Sequence, residues 1–374
     1  MPGGDPEPIS SRPPAELSYW LLLSRLSLPP PLVCDLLQCF GDAAGVFAAS
    51  REELRAVDRS AERLYRRVRE AEQTTDLAEF TRQLQSMGAR VVIRDDAEYP
   101  ALLRRIHTPP PVLFVGGQLS ALGGPCVAMV GSRAASAAGL RVATTLARGL
   151  AEAGLTVVSG MAVGIDGAAH RGALDGGGPT VAVLGCSLEI PYPRANVDLR
   201  ARIRECGALV SEFPPGTEPR RWAFPQRNRL VSGMCMGTIV VEAPERSGAL
   251  ITADLALEQH REVMAVPGET ESGRNRGCHN LIRDGAVLVE TAEDVVNALG
   301  LEPRRPSAPR PAPPPCELTP PERLALGALT REGALIEHVT AATGFPPAEV
   351  VSALMLLEMK GLAQRLPGGR YGLR

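Results

Sequence analysis

The hydrophobic pattern divides the chain into stretches of different period. Between about Ala89 and Leu299, short apolar runs alternate with amphipathic segments. The runs are VVIR, VLFVG, CVAMVG, TVVSG, TVAVLG, ALVSE, GTIVVEA, EVMAVPG and AVLVE. They are nearly continuous rather than alternating, which predicts parallel strands covered on both faces. Between them, GLRVATTLARGLAEAG and DLALEQH carry helical periodicity. The pattern predicts an α/β domain over 89–300 that is doubly wound and Rossmann-like, with a mostly parallel sheet.

The flanks read differently. Residues 1–14 are rich in Pro and Gly and are expected to be disordered. Over 15–88, SYWLLLSRL, PLVCDLLQCF and REELRAV predict short helices that form a small helical domain. The order around LQCFGDAAGVF resembles a helix-hairpin-helix or SAM-like unit able to grip a nucleic-acid backbone, although a plain bundle used for packing is the commoner source of such turn-and-helix patterns. Residues 301–316 (LEPRRPSAPRPAPPPC) predict a semi-extended Pro-rich linker. Residues 317–374 read helix, helix, turn, helix, then GLAQRL and RYGLR around a PGG turn, the order of a winged helix.

Composition narrows the function classes. The formal net charge is −2, so any polyanion site must be a local cluster. Lys360 is the only lysine among 40 basic residues. Arginine suits bidentate phosphate contact and stacking on bases, although a GC-rich genome produces the same bias. The eight cysteines (Cys34, Cys39, Cys126, Cys186, Cys206, Cys235, Cys278, Cys316) form no C-x-x-C pair. They read as small buried hydrophobes in a reducing compartment, not as a zinc site or disulfide framework. The N-terminus has no secretory signal pattern, and no apolar stretch approaches the ~20 residues that span a bilayer. A cytoplasmic protein with no membrane contact is expected.

Ligands of open α/β sheets bind beyond the carboxyl ends of the strands. Those positions hold Gly131-Ser132-Arg133, Ser159-Gly160 followed by Gly164 and Asp166, Gly185, Glu212, Ser247-Gly248 and Pro267-Gly268. Small residues there let the backbone approach a ligand, and the helix N-termini that follow favour anions. Each turn alone is also explained by tight strand–helix packing. The fingerprints G-x-G-x-x-G and G-x-x-x-x-G-K-[ST] are absent, so a nicotinamide or ATP enzyme is not supported. The run from Arg220 to Arg229 (RRWAFPQRNR) interleaves four arginines with Trp222 and Phe224. Arginine neutralises phosphate, and aromatic rings stack on unpaired bases, which favours single strands over duplex. The alternative is a core pair of aromatics with the arginines salt-bridged to Glu212 and Glu218. Catalytic signals are thin: Asp166 and His170 share a helix face, and no Ser-His-Asp set or acidic nuclease cluster is evident. Cys278-His279 lacks a second pair at metal-ligand spacing.

Several long strings coincide with a known family. YPALLRRIHTPPPVLFVGG, VAMVGSR, SGMAVGIDGAAHRGAL, TVAVLGCSLEIPYPRANVDL, FPQRNRLVSGM and IVVEAPERSGALITADLALEQHREVMAVPG run in family order across about Tyr99 to Val289. The chain resembles the DNA-processing protein A (DprA/Smf) family. The resemblance implies a homodimer that binds single-stranded DNA cooperatively. It also implies that the protein protects incoming DNA in natural transformation and helps load the RecA recombinase. It implies no catalytic residue, no metal and no cofactor. Carried onto this chain, Arg133 contacts phosphate, Phe224 stacks on a base, and Arg227, Asn228 and Arg229 line the DNA pocket. Arg221 stands for the basic residue ahead of the Phe, and Ser159, Gly160, Ser247 and Gly248 complete the backbone contacts. RGCHNLI departs from the family's usual small residue before the Asn. Two other readings stay open: a phosphoribohydrolase-like nucleotide enzyme, although PGGxGTxxE is not present, and a duplex-DNA regulator acting through the winged helix.

Overall fold

The computed structural model describes residues 9–58, 60–302, 318–330, 333–360, 362–366 and 369–373. They fall into two compact units, Met1–Arg305 and Pro306–Arg374.

The first unit opens with six helices: α1 (Pro14–Arg25), α2 (Pro30–Phe40), α3 (Ala43–Ala48), α4 (Arg51–Val57), α5 (Ala61–Thr74) and α6 (Leu77–Ser86). Their boundaries have local causes. Prolines at the first helical positions start α1 and α2. Asp42 and Asp76 accept from backbone N–H groups to cap α3 and α6, and Ser50 and Glu53 form a capping box at α4. The helices do not form a separate core. Their apolar faces join strand residues Val91, Phe114 and Leu209 in one buried cluster, with Phe80 and Phe114 rings 6.4 Å apart. The expected boundary at residue 88 is therefore no boundary in packing, because neither face is closed without the other.

The N-terminal stretch expected to be disordered divides in two. Residues 1–8 lie outside the described residues. Residues 9–14 are anchored at Ile9 and Arg12, with Ser11, Pro13 and Pro14 exposed: Val91 N donates to Ile9 O at 2.6 Å, and Arg12 Nε meets Asp96 at 2.7 Å. Ile9 is buried, and this burial together with the Arg12 pair outweighs the disorder bias of the Pro- and Gly-rich composition.

The sheet follows, with helices between its strands. Its first members are β1 (Ala89–Ile93), β2 (Val112–Gly117), β3 (Cys126–Val130), α7 (Ala137–Glu152), β4 (Thr156–Ser159) and α8 (Ile165–Asp175). Next come β5 (Thr180–Val183), α9 (Val197–Cys206), β6 (Ala208–Ser211), α10 (Ala223–Gly233), β7 (Gly237–Val240) and α11 (Gly248–Glu258). β8 (Glu262–Ala265), α12 (Arg276–Arg283), β9 (Val287–Leu288) and α13 (Ala292–Ala298) complete it. The nine strands lie in the order β1-β2-β6-β5-β4-β3-β7-β8-β9. β1, β2 and β6 pair antiparallel, and every other neighbour is parallel. All the apolar runs read as strands become strands. β3 to β7 are buried along their whole length, as two-faced cover requires.

The chain runs from β3 outward to β6, then returns through α10 to β7 on the other side of β3. This reversal puts a crevice at the carboxyl ends of β3 and β7, where doubly wound sheets bind ligands. α7 and α8 cross closely beside it: a Cβ on Gly172 would run into the backbone carbonyl of Thr144.

The second unit holds α14 (Pro320–Gly327), β10 (Ala334–Leu335), α15 (Ile336–Thr343), α16 (Pro347–Met359), β11 (Ala363–Leu366) and β12 (Arg370–Leu373). Its three strands order β10-β12-β11, and its core includes Val339, Leu354, Leu357 and Tyr371. This is a winged helix with a small third strand that the sequence pattern did not show. The expected linker lies outside the described residues from 303 onward, as do Cys316 and residues 367 and 368 of the PGG turn. No single described helix is long and apolar enough to cross a membrane.

Gly172→Ala should destabilise the first unit by about 1–3 kcal/mol, since overpacking meets backbone rather than a movable side chain. Urea unfolding followed by circular dichroism checks this, and a neutral result would show that α7 and α8 separate freely.

Candidate nucleic-acid interface

Three helix N-termini converge on the crevice. α7 begins at Ser136, whose Oγ accepts from Gly139 N at 2.9 Å. α11 begins at Ser247, whose Oγ accepts from Ala249 N at 3.3 Å. α8 begins after Gly164, which has φ of 85° and sits against the carbonyls of Ser132 and Arg133, so only glycine fits there. Ser132 N donates to Glu242 O and Ser132 O accepts from Ile165 N, which staples the Gly131-Ser132-Arg133 turn to β7 and α8. The α7 terminus already holds the buried Glu242 carboxylate, which accepts from the Ser136 N–H at 3.0 Å and from its hydroxyl. The α11 terminus, which lines the cleft, keeps a partial positive charge that favours an anionic ligand.

The cleft between these termini has a volume of about 680 Å³. Among the residues named from sequence, it gathers Gly131, Ser132, Arg133, Gly160, Arg221, Phe224, Arg227, Asn228, Ser247 and Gly248. A Cβ on Gly248 would meet nothing within 4 Å, so the protein's own packing does not require glycine there.

α10 sets the chemistry of the far wall. Phe224, Arg227 and Asn228 share one helix face by their i, i+3 and i+4 spacing. The Phe224 ring is half-buried, with the Arg133 guanidinium 5.3 Å above its centroid and the tilted Tyr192 ring centred 5.6 Å away. A Cβ on Gly185 would reach the same ring at 2.7 Å, so glycine there makes room for it. Trp222, in contrast, is 56% exposed and stands edge-on to Phe213 at 5.9 Å, away from the cleft. Neither aromatic is simply core.

Arg227 is 4% exposed. Its Nη1 donates to Gly160 O at 2.6 Å and to Val183 O, and its Nε donates to Asn228 Oδ1 at 3.2 Å. Burial pulls its pKa down to about 10, and the Asp166 carboxylate works against that fall. Burial in turn pushes the Asp166 pKa up, opposed mainly by Arg227. A Cβ on Gly160 would strike the Arg227 guanidinium at 2.5 Å and Asp166 at 2.9 Å. Arg227 therefore ties β4, β5 and α10 together beneath the cleft while still lining it.

Three residues named from sequence fall elsewhere. Ser159 is fully buried and donates to Met129 O at 2.6 Å, inside the sheet. Gly164 acts through the backbone constraint already described. Arg229 lies on the opposite face of α10 and pairs with Glu212 at 2.6 Å, with both side chains about nine-tenths buried. That part of the salt-bridge alternative holds, because the helical period turns Arg229 away from Phe224. Among the cleft residues that escaped the sequence reading are Tyr192 and Arg246. Arg246 directly precedes the small pair after β7, which was the available signal.

The thin catalytic signals also find places. His170 is fully buried, with Nδ1 2.7 Å from Thr180 Oγ1. Thr180 Oγ1 itself donates to Val157 O, so it accepts the histidine proton. Burial pushes the His170 pKa down to about 3. Of the cysteines, Cys126, Cys186, Cys235 and Cys278 are buried, but Cys39 and Cys206 are exposed, against expectation. His279 turns its Nε2 to the Gly268 backbone.

These features define a doubly wound α/β protein with an arginine-rich, aromatic cleft at its switch point and a winged helix. Residues 90–300 match the family model for DNA recombination-mediator protein A, and residues 309–369 match that for the DprA winged helix domain. A putative DNA processing protein DprA of Mycobacterium tuberculosis is 40% identical over 361 residues, covering 92% of this chain and 91% of the relative. The DprA structure from Streptococcus pneumoniae aligns with TM-score 0.67 at 36% identity, over 75% of this chain and 97% of that one. DNA processing protein A from Helicobacter pylori, described for its single-stranded DNA binding mode, aligns with TM-score 0.52 at 28% identity, over 56% and 95%. The chain belongs to the DprA/Smf family.

Two outcomes follow. Arg229→Ala should cost about 3–5 kcal/mol of stability, because it strands the Glu212 carboxylate in a buried site; urea melts measure this. In the folded state His170 resists protonation, whereas the unfolded chain protonates it near the ordinary value of 6.5. Acid therefore favours unfolding between about pH 6.5 and about pH 3, and stability rises with pH across that window. His170→Gln should flatten this limb in Tm measured against pH.

Proposed function

We propose that the protein binds single-stranded DNA in the switch-point cleft, protects it, and passes it to the RecA recombinase during natural transformation, working as a homodimer and without catalytic turnover. The arrangement of Arg133, Phe224 and Arg221 carries the reading. Arg221 and Arg246 form no ion pair among the described residues, and the one carboxylate in the cleft, Asp166, is engaged with Arg227. Cationic charge is thus unspent where the α11 N-terminus already favours phosphate, and an aromatic ring stands beside it for an unpaired base. The open space beside Gly248 leaves room for backbone contact with the ligand. Arg133 rests on the face of Phe224, so a stacking base takes its place and frees it for a phosphate. The family's description as a recombination mediator and the Helicobacter pylori relative's single-stranded DNA binding support the same direction.

The winged helix argues less for duplex readout. α16, in the position of a recognition helix, carries no basic residue and exposes Met355, Leu356 and Met359. Lys360, just beyond it, pairs with Glu322 at 2.7 Å. Among the described residues of this unit, Arg365 and Arg370 put positive charge on the wing strands instead.

Fluorescence anisotropy with a short oligo-dT and a matching duplex tests the proposal. Phe224→Ala should weaken single-strand binding about 5- to 150-fold, the worth of one stacked base. Arg133→Ala should also lower the slope of log K against log salt by about 0.7. Equal affinity for duplex and single strand, or an unaffected Phe224→Ala protein, would overturn it.

A further inference from the structure

α10 walls two cavities, not one. Trp222, Gln226 and Arg229 recur at i, i+4 and i+7, opposite the face that carries Phe224, Arg227 and Asn228. The second face closes a cavity of about 440 Å³ between α10, the end of β6, the α1–α2 connection and Pro109–Pro111. That size suits a small-molecule group.

The cavity combines three properties. Its walls are apolar and partly flat, including Phe213, Pro214 and Pro110. Its mouth carries Trp222, an exposed indole flanked in sequence by the exposed Arg220 and Arg221. Its floor holds the buried Glu212–Arg229 pair, whose side chains are 9% and 10% exposed. Gln226 also bonds the Glu212 carboxylate, yet Glu212 Oε1 and Arg229 Nε and Nη1 remain shielded from solvent with no hydrogen-bond partner of their own. Leaving buried polar atoms unmade is costly. Both residues line the cavity, so one acceptor and two donors are left unspent in its wall.

A flat ring with adjacent donors and acceptors along one edge, joined to an anion, matches this set. We propose that the cavity is a second nucleobase pocket, taking a base from the strand that leaves the cleft across the N-terminal end of α10. The base stacks on Trp222, its hydrogen-bonding edge meets the Glu212–Arg229 pair, and Arg221 neutralises the flanking phosphate. The inference rests on single-strand binding in the cleft and extends it to the seam between the helices and the sheet.

The chain contains two tryptophans, and Trp20 is buried in the helical core, so the full-length Trp20→Phe protein reports on Trp222 alone. Its fluorescence is titrated with oligo-dT of increasing length and with thymidine monophosphate. Oligomers long enough to leave the cleft should quench Trp222. In otherwise wild-type protein, Trp222→Ala should weaken their binding about 5- to 150-fold and leave the shortest cleft-bound oligomer unaffected. Ser24→Phe, which narrows the cavity from α1, should abolish the quenching while circular dichroism stays unchanged. Binding that depends on Phe224 but leaves Trp222 emission unmoved at every length would overturn the second pocket and leave the cleft reading intact. Quenching by the mononucleotide but not by oligomers would overturn the strand assignment. Absence of any single-strand binding would overturn the cleft reading itself.

Discussion

A guanidinium buried beneath the cleft cannot be left without acceptors, and the fold around Arg227 is organised by that demand. Burial of an unpaired charge costs several kcal/mol. Here Gly160 O, Val183 O and the Asp166 carboxylate answer it. Meeting all three aligns the carboxyl ends of β4 and β5, requires glycine at 160, and sets the depth of α10 against the sheet. Once α10 is fixed there, Phe224 stands one turn earlier on the same face, with Gly185 making room for its ring. The site's aromatic element is thus placed by a charge that stays buried.

Charge is sorted by the helical period. Arg220, Arg221, Arg227 and Arg229 come from one ten-residue run, yet they meet four different fates. Arg227 is consumed by the sheet ends, Arg229 by Glu212, and Arg220 lies 3.4 Å from Glu218 on the surface. Arg221 alone of the four faces the cleft without a carboxylate. A protein of net charge −2 holds a cationic cleft here because neighbouring arginines of the same run, Arg220 and Arg229, are paired with Glu218 and Glu212.

The same helix joins the two ends of the first unit. One face completes the switch-point cleft, and the other packs toward the α1–α2 connection. The helical region and the sheet share a continuous apolar core, so the seam between them is a fixed wall rather than a hinge.

The sequence by itself determined the nine strands, the winged helix, and the small residues after β3, β4 and β7, because apolar period and turn chemistry are local properties. Family order in strings such as FPQRNRL and SGMAVGIDGAAH also marked the neighbourhood of the cleft. Tertiary structure alone decided which side chains reach it. Ser159 and Arg229 sit in strings as specific as those of Gly160 and Phe224, but one hydroxyl turns into the sheet and one guanidinium turns to Glu212. Tyr192 enters from a loop 32 residues before Phe224 in the chain, and no local pattern encodes that meeting. The anchoring of Ile9 and Arg12 and the continuity of the helical core with the sheet likewise depend on partners far away in sequence. Burial and long-range pairing are properties of the folded whole, and they separate a residue near a site from a residue in it.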